Sequence, residues 1–204
     1  MKLYYAPGAC SLSPHIALSE SGLPFEAVRV STKTHTLDDG SDFYAINPLG
    51  YVPLLVLDTG EHLHEGPAIV QYIADQVPER ALASRNGSFA RYKLQEWLNF
   101  ISTELHKAFS PLFNPNASDD AKAAAKQQLG ARLAWVDSQL NGADYLLGAQ
   151  FSVADAYLFT VTNWAKPVGL DLSKLPHLIA WRARVGKRPA VIAAMTAEGL
   201  LKTA

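Results

Sequence analysis

At 204 residues, 49% hydrophobic and 18% charged, the chain is long enough to bury a sizeable core as one or two domains. Its net charge of -1 at pH 7, with lysines and arginines scattered singly, excludes the basic footprint of a protein that binds nucleic acid or an anionic membrane. A single cysteine excludes an internal disulfide, and Pro7 and Gly8 cut the first apolar run before it could serve as a signal peptide, so the cytoplasm is the expected compartment. No long unbroken apolar stretch predicts a membrane span, and no His/Cys cluster has metal-ligand spacing. His62 and His64 read as exposed alternate residues of a strand.

The first 77 residues predict the order β-α-β-α-β-β-α. A strand over Lys2–Ala6 breaks at Pro7 and Gly8, and a helix over Ser11–Ser21 is closed by Gly22 and Pro24. Cys10 stands where that helix begins. Unpaired N–H groups and the positive end of the helix dipole favour a thiolate there, although a lone cysteine is as readily an inert buried residue. A strand over Glu26–Val30, a polar stretch and a weak helix near Ser41–Ala45 follow. Asn47–Pro53, with two prolines and a glycine, calls for a fixed loop. Leu54–Leu57 and Glu61–His64 form a hairpin around Asp58, Thr59 and Gly60, and Glu65, Gly66 and Pro67 open a helix that ends at Pro78.

Pro78–Ser88 lacks apolar periodicity and marks the domain boundary; everything after it reads as helix. Leu129, Leu133, Val136 and Leu140 make one apolar stripe. Val153, Tyr157, Val161 and Trp164 make another, behind a start at Ser152–Asp155 that has the form of a capping box. Pro176 and Pro189 suit the first turns of two short final helices. On the helix from about Phe89 to Phe109, a 100° projection gathers Asn99, Thr103, His106 and Ser110 into one sector, away from Leu94, Trp97, Leu98, Ile101 and Leu105. Such a stripe is either a solvated face or one wall of a cleft.

In this order the pieces resemble the cytosolic glutathione transferases, and most closely the bacterial beta class. The strings that carry the resemblance are PGACSLSPHIAL (7–18), NPLGYVP (47–53), EGPAIVQYIAD (65–75), WLNFISTELHK (97–107) and SVADAYLF (152–159). At subfamily level the chain is similar to the transferases encoded beside biphenyl-degradation enzymes. The resemblance implies an α+β thioredoxin-like, glutathione-binding domain over residues 1–78, followed over 88–204 by an all-helical domain that holds the electrophile pocket. It also implies a homodimer, with glutathione as co-substrate and no metal.

The resemblance further assigns roles. Cys10 and His106 would stabilise the glutathione thiolate. Pro53 would be cis, exposing the backbone of Val52 to the cysteinyl unit. Glu65 and Gly66 would hold the γ-glutamyl end, at a helix N-terminus suited to a carboxylate. Asn99 and the segment Thr103–His106 would complete the site, part of it, with Glu104, reaching in from the neighbouring subunit. Where the class often carries a lysine near the glycine carboxylate, this chain has His35, with Lys33 two residues before; a neutral imidazole is a weaker anion partner. Phe109, Phe113, Tyr157 and Trp164 are candidates for the second pocket or for core. The implied reaction is attack of the thiolate on small apolar electrophiles, with chlorinated ring-cleavage products as the subfamily's substrates. Two other readings stand beside it: a monothiol disulfide reductase, because Cys10-Ser11-Leu12-Ser13 keeps only the first position of a Cys-x-x-Cys, and a non-catalytic carrier of apolar ligands.

Overall fold

The computed structural model describes residues 1–201. In chain order its elements are β1 (Lys2–Tyr5), α1 (Leu12–Ser21), β2 (Glu26–Ser31), β3 (Thr36–Leu37), β4 (Leu54–Val56), β5 (His62–His64), α2 (Gly66–Gln76), α3 (Phe89–Phe100), α4 (Ser110–Phe113), α5 (Asp119–Gln139), α6 (Val153–Thr162), α7 (Pro176–Gly186) and α8 (Pro189–Ala197). They form two compact units: Met1–Ala83 with the segment from Lys187 onward, and Ser84–Gly186.

The first unit is a five-stranded sheet in the order β3-β2-β1-β4-β5. β1 runs parallel to β2, and the other pairs are antiparallel. Alternation along the strands gives the sheet two apolar faces. Tyr4, Ala6, Val30 and Leu54 gather on one with Phe43 and Val52. Leu3 and Leu55 lie on the other and are fully buried, as are Leu12, Ile16, Ile69 and Ile73 of α1 and α2.

Three expectations are corrected here. The helix near Ser41–Ala45 is one 3-10 turn, Phe43–Ala45, capped by the Asp42 carboxylate, which accepts the Tyr44 N–H at 2.9 Å. Five residues before Pro48 are too few to repay helix nucleation. The polar stretch before it contains a strand, β3, which pairs Leu37 with Val30. The helical domain expected over 88–204 ends at Gly186, because α8 lies along α1 with Val191 and Ala194 buried.

In the second unit the helix expected over 89–109 is not regular. α3 passes into a π-helical turn, Ile101–His106, then a 3-10 turn, Lys107–Phe109, before α4. A widened turn changes the angular step, so a projection at 100° per residue holds only as far as Phe100. Ile101, Leu105 and Phe109 stay fully buried at four-residue spacing, while Asn99, Thr103 and Ser110 are exposed and His106 is half-buried. α6 is buried along its whole length rather than on one stripe, as befits a segment whose one charged residue at neutral pH is Asp155.

Asp155 is the polar centre of this unit. One carboxylate oxygen accepts the Leu146 N–H and Trp181 Nε1–H, both at 2.9 Å. The other accepts the Ser152 N–H at 2.9 Å and the Ser152 hydroxyl at 2.8 Å. The capping motif is thus closed from its acidic side, with the serine hydroxyl donating to the carboxylate. Burial pushes the Asp155 carboxyl above its ordinary range, and the four donors pull it back. In either orientation an amide at this position would set its NH2 against two donors. Asp155→Asn is therefore expected to cost about 2–4 kcal/mol in urea unfolding; an unchanged midpoint would refute the assignment.

Candidate active site

In the first unit the predicted residues converge on one loop. Asn47, with no exposed surface, organises it: its Nδ2 donates to the Tyr51 carbonyl at 2.8 Å, its Oδ1 accepts the Leu49 N–H at 3.1 Å, and its own carbonyl accepts the Gly50 N–H at 2.8 Å. The Val52–Pro53 peptide is cis. Onto this frame come three side chains from distant parts of the chain. Cys10 donates its thiol to the Val52 carbonyl, Sγ to O 3.4 Å. Tyr51 donates its hydroxyl to Glu65 Oε1 at 3.2 Å. His35 Nδ1 lies 2.7 Å from the Gly50 carbonyl.

The last contact fixes a tautomer. A carbonyl only accepts, so Nδ1 carries the proton, and a neutral His35 offers only a lone pair at Nε2. The ring is also covered by Tyr44, with centroids 4.6 Å apart. His35 and Glu65 share a further property: both are non-glycine residues at positive φ, 55° and 65°. The only other such residue among those described is Ala81. Conformations of this kind cost roughly 1–3 kcal/mol each and persist where surrounding contacts enforce them.

The turn that carries Cys10 is knitted to its own strand. Ser11 Oγ accepts the Ala6 N–H at 3.1 Å and donates to the Ala6 carbonyl at 3.2 Å. Cys10 itself is half-buried. At the start of α2 the Glu65 carbonyl accepts the N–H groups of Ala68 and Ile69, and Pro67 has none to give. The Gly66 N–H belongs to the first helical turn and is not used by the helix itself.

The helical unit holds the other predicted residues. His106 Nδ1 lies 2.7 Å from the Tyr157 hydroxyl, and its ring stands edge-on to Tyr157 and Trp164, centroids 6.0 and 4.9 Å away. The Thr103 hydroxyl donates back to the Asn99 carbonyl at 3.0 Å. Glu104 accepts from Arg132 Nε at 2.8 Å, an exposed pair of little energetic weight. Of the four aromatic candidates, Phe109 and Tyr157 are core, whereas Phe113 and Trp164 reach the surface, centroids 5.7 Å apart. A separate cleft of about 690 Å³ is bordered by Phe89, Trp97, Phe100 and Trp135, and none of the predicted site residues lines it. Among the described residues no group of three or more His, Cys, Asp or Glu is placed to hold a metal ion, and no helix is long and apolar enough to cross a membrane.

With this geometry in hand, comparison identifies the class. Residues 8–76 match the glutathione S-transferase N-terminal domain and residues 100–189 the C-terminal domain, and the chain belongs to the glutathione S-transferase family. Within it the chain is similar to bacterial members. Glutathione S-transferase GstA of Escherichia coli O157:H7 is 48% identical over 98% of this chain and all of its own. The solved ternary complex of BphK, a bacterial glutathione transferase, is 60% identical with a TM-score of 0.96, over 98% of this chain and 100% of its own. The beta-class transferase of Sphingomonas chungbukensis is 50% identical with a TM-score of 0.95 over the same shares.

Sequence reasoning missed the residues that hold the candidates in place. Tyr44, Tyr51 and Asn47 lay in or beside a loop read only as fixed, and Tyr157 was counted as apolar. The one available signal was a tyrosine in an otherwise apolar stripe, whose hydroxyl requires a partner when buried. Gly50 is tied to the same arrangement. It has φ +69°, and a Cβ there would lie 2.3 Å from Cε1 of Tyr44. Gly50→Ala should lower stability by at least about 1–2 kcal/mol from the left-handed backbone alone, and by more from the clash. Adding Tyr44→Ala should recover the part due to the clash; denaturant unfolding of the two variants that showed equal loss would contradict this.

Proposed function

We propose that this glutathione transferase binds reduced glutathione along the Val52 backbone, with Cys10 beside the incoming sulfur and His106 as the second group that stabilises the thiolate. The observation that carries the reading is the Cys10 thiol at 3.4 Å from the Val52 carbonyl, since it sets a sulfur beside the backbone that glutathione's cysteinyl unit would use. Glu65 and the Gly66 N–H take the amine and carboxylate of the γ-glutamyl end, and His35 takes the glycine carboxylate. Asn99, Thr103 and Glu104 serve the site across a homodimer, and the Glu104–Arg132 pair is weak enough to be exchanged for that role. The enzyme works in the cytoplasm.

The electrophiles are small and apolar, chlorinated products of aromatic ring cleavage among them. Glutathione thiolate displaces chloride and forms a carbon–sulfur bond. A second thiolate then attacks that sulfur, the carbon takes a proton, and a disulfide leaves, so the substrate is reduced and the two thiols are oxidised. Release of free chloride that depends on glutathione and enzyme is the direct assay.

A redox reading is favoured by one further observation. The position of a resolving cysteine is held by Ser13, whose hydroxyl is buried and has no hydrogen-bond partner among the described residues. A mixed disulfide at Cys10 would therefore wait for an external thiol. Cys10→Ala separates the roles. A thiol is a weak donor, so conjugation to a haloaromatic should fall by less than about tenfold, while thiol–disulfide exchange is abolished. Retained exchange would remove Cys10 from the chemistry.

The His35 tautomer gives a pH dependence with a definite sign. Only the imidazolium has an Nε2–H for a carboxylate while Nδ1 serves Gly50, so affinity should be higher in acidic than in alkaline solution. Calorimetry with S-methylglutathione, which has no thiol to titrate, should show a loss on the order of tenfold. His35→Lys should flatten the profile at high affinity. A flat profile for the unaltered protein, matched by His35→Ala, would remove His35 from the site.

A further inference from the structure

Glu198, just beyond α8, is a buried carboxylate that no step above uses. Its Oε2 accepts the Gly8 N–H at 2.9 Å, and its Oε1 lies 2.9 Å from His15 Nδ1. Both partners matter to the turn that carries Cys10. Gly8 stands two residues before the cysteine at φ +71°, and His15 belongs to the helix that follows it. His15 is itself enclosed, 3% exposed, with its ring 5.5 Å from those of both Tyr5 and Phe25. The strap continues over the turn, since a Cβ on Gly8 would meet Leu200 at 3.4 Å.

The opposite end of the strap is fastened separately. Arg188, before α8, holds both oxygens of Glu20 near the end of α1, at 2.6 and 2.9 Å. The segment is thus tied to α1 at two places, and of these two ties the Glu198 one also reaches the turn before Cys10. A buried carboxylate is costly unless its oxygens are paired, and here both are committed to that turn and helix.

We infer that Glu198 is a positioning residue for Cys10: by holding the Gly8 N–H and His15 it fixes the turn that sets the thiol against the Val52 carbonyl. The link to turnover rests on the reading of Cys10 given above; the link to the thiol does not. Because the chain has one cysteine, the rate of iodoacetamide alkylation as a function of pH reports that thiol alone. Glu198→Ala should change the alkylation rate at a given pH by between about two- and tenfold, as expected from freeing one anchoring hydrogen bond. Glu198→Gln, which keeps one acceptor oxygen, should fall between that variant and the unaltered protein, and it serves if the alanine variant fails to fold. Arg188→Ala loosens the same strap at its other end and should leave the alkylation profile in place. Folded Glu198 variants with unaltered profiles, or an Arg188→Ala profile that shifts equally, would make Glu198 a stabilising clamp only and overturn the inference. In parallel, Cys10→Ala with unaltered glutathione turnover would overturn the assignment of Cys10 to the site, while the alkylation series still decides the role of Glu198.

Discussion

The first unit depends on one buried amide. Asn47 spends its side-chain oxygen, its side-chain nitrogen and its backbone carbonyl within the four residues that follow it, and so fixes a loop that no regular hydrogen-bond ladder supports. The other candidate residues of this unit are built against that loop. Gly50 offers its carbonyl to His35, Tyr51 offers its hydroxyl to Glu65, and Val52 offers its carbonyl to Cys10. Residues as far apart as Cys10 and Glu65 therefore share one reference frame, and the positive φ angles at His35 and Glu65 fall where that frame meets the side chains it holds.

The helical unit solves a different problem: a helix must supply both core and polar surface while its repeat changes. Ile101, Leu105 and Phe109 keep the buried side through the π-helical turn, and the widened turn delivers His106 to Tyr157 and Trp164 of a neighbouring segment. Asp155 anchors that neighbour from below by collecting donors from Leu146, Ser152 and Trp181. The histidine's ring is held by aromatic edges and one hydroxyl, and its support belongs to the same core that buries α6.

Much of this was legible in the residues. Gly22, Pro24, Pro78, Pro176 and Pro189 mark real helix boundaries, because proline and glycine act on the local backbone whatever surrounds them. The hairpin around Asp58–Gly60 and the loop before it follow from the same local chemistry. What escaped was set by partners far along the chain. β3 is a strand only because β2 offers an edge. The π-helical turn leaves no mark in a projection that assumes a constant step. Glu198 and Arg188 carry no local signal at all, since their significance lies in Gly8, His15 and Glu20.

The return of α8 to the first unit has a consequence for the order of synthesis. The sheet, α1 and α2 leave the ribosome before any of Ser84–Gly186, yet the face of α1 that Val191 and Ala194 cover, and the partners of Glu20 and His15, arrive only after that whole unit has been made. Folding of nascent chains usually runs domain by domain from the N-terminus. Here the N-terminal unit is the one that must wait: it stays open along α1 until the segment from Lys187 emerges, so a chain cut short just after Gly186 would leave the first unit incomplete and the helical unit whole.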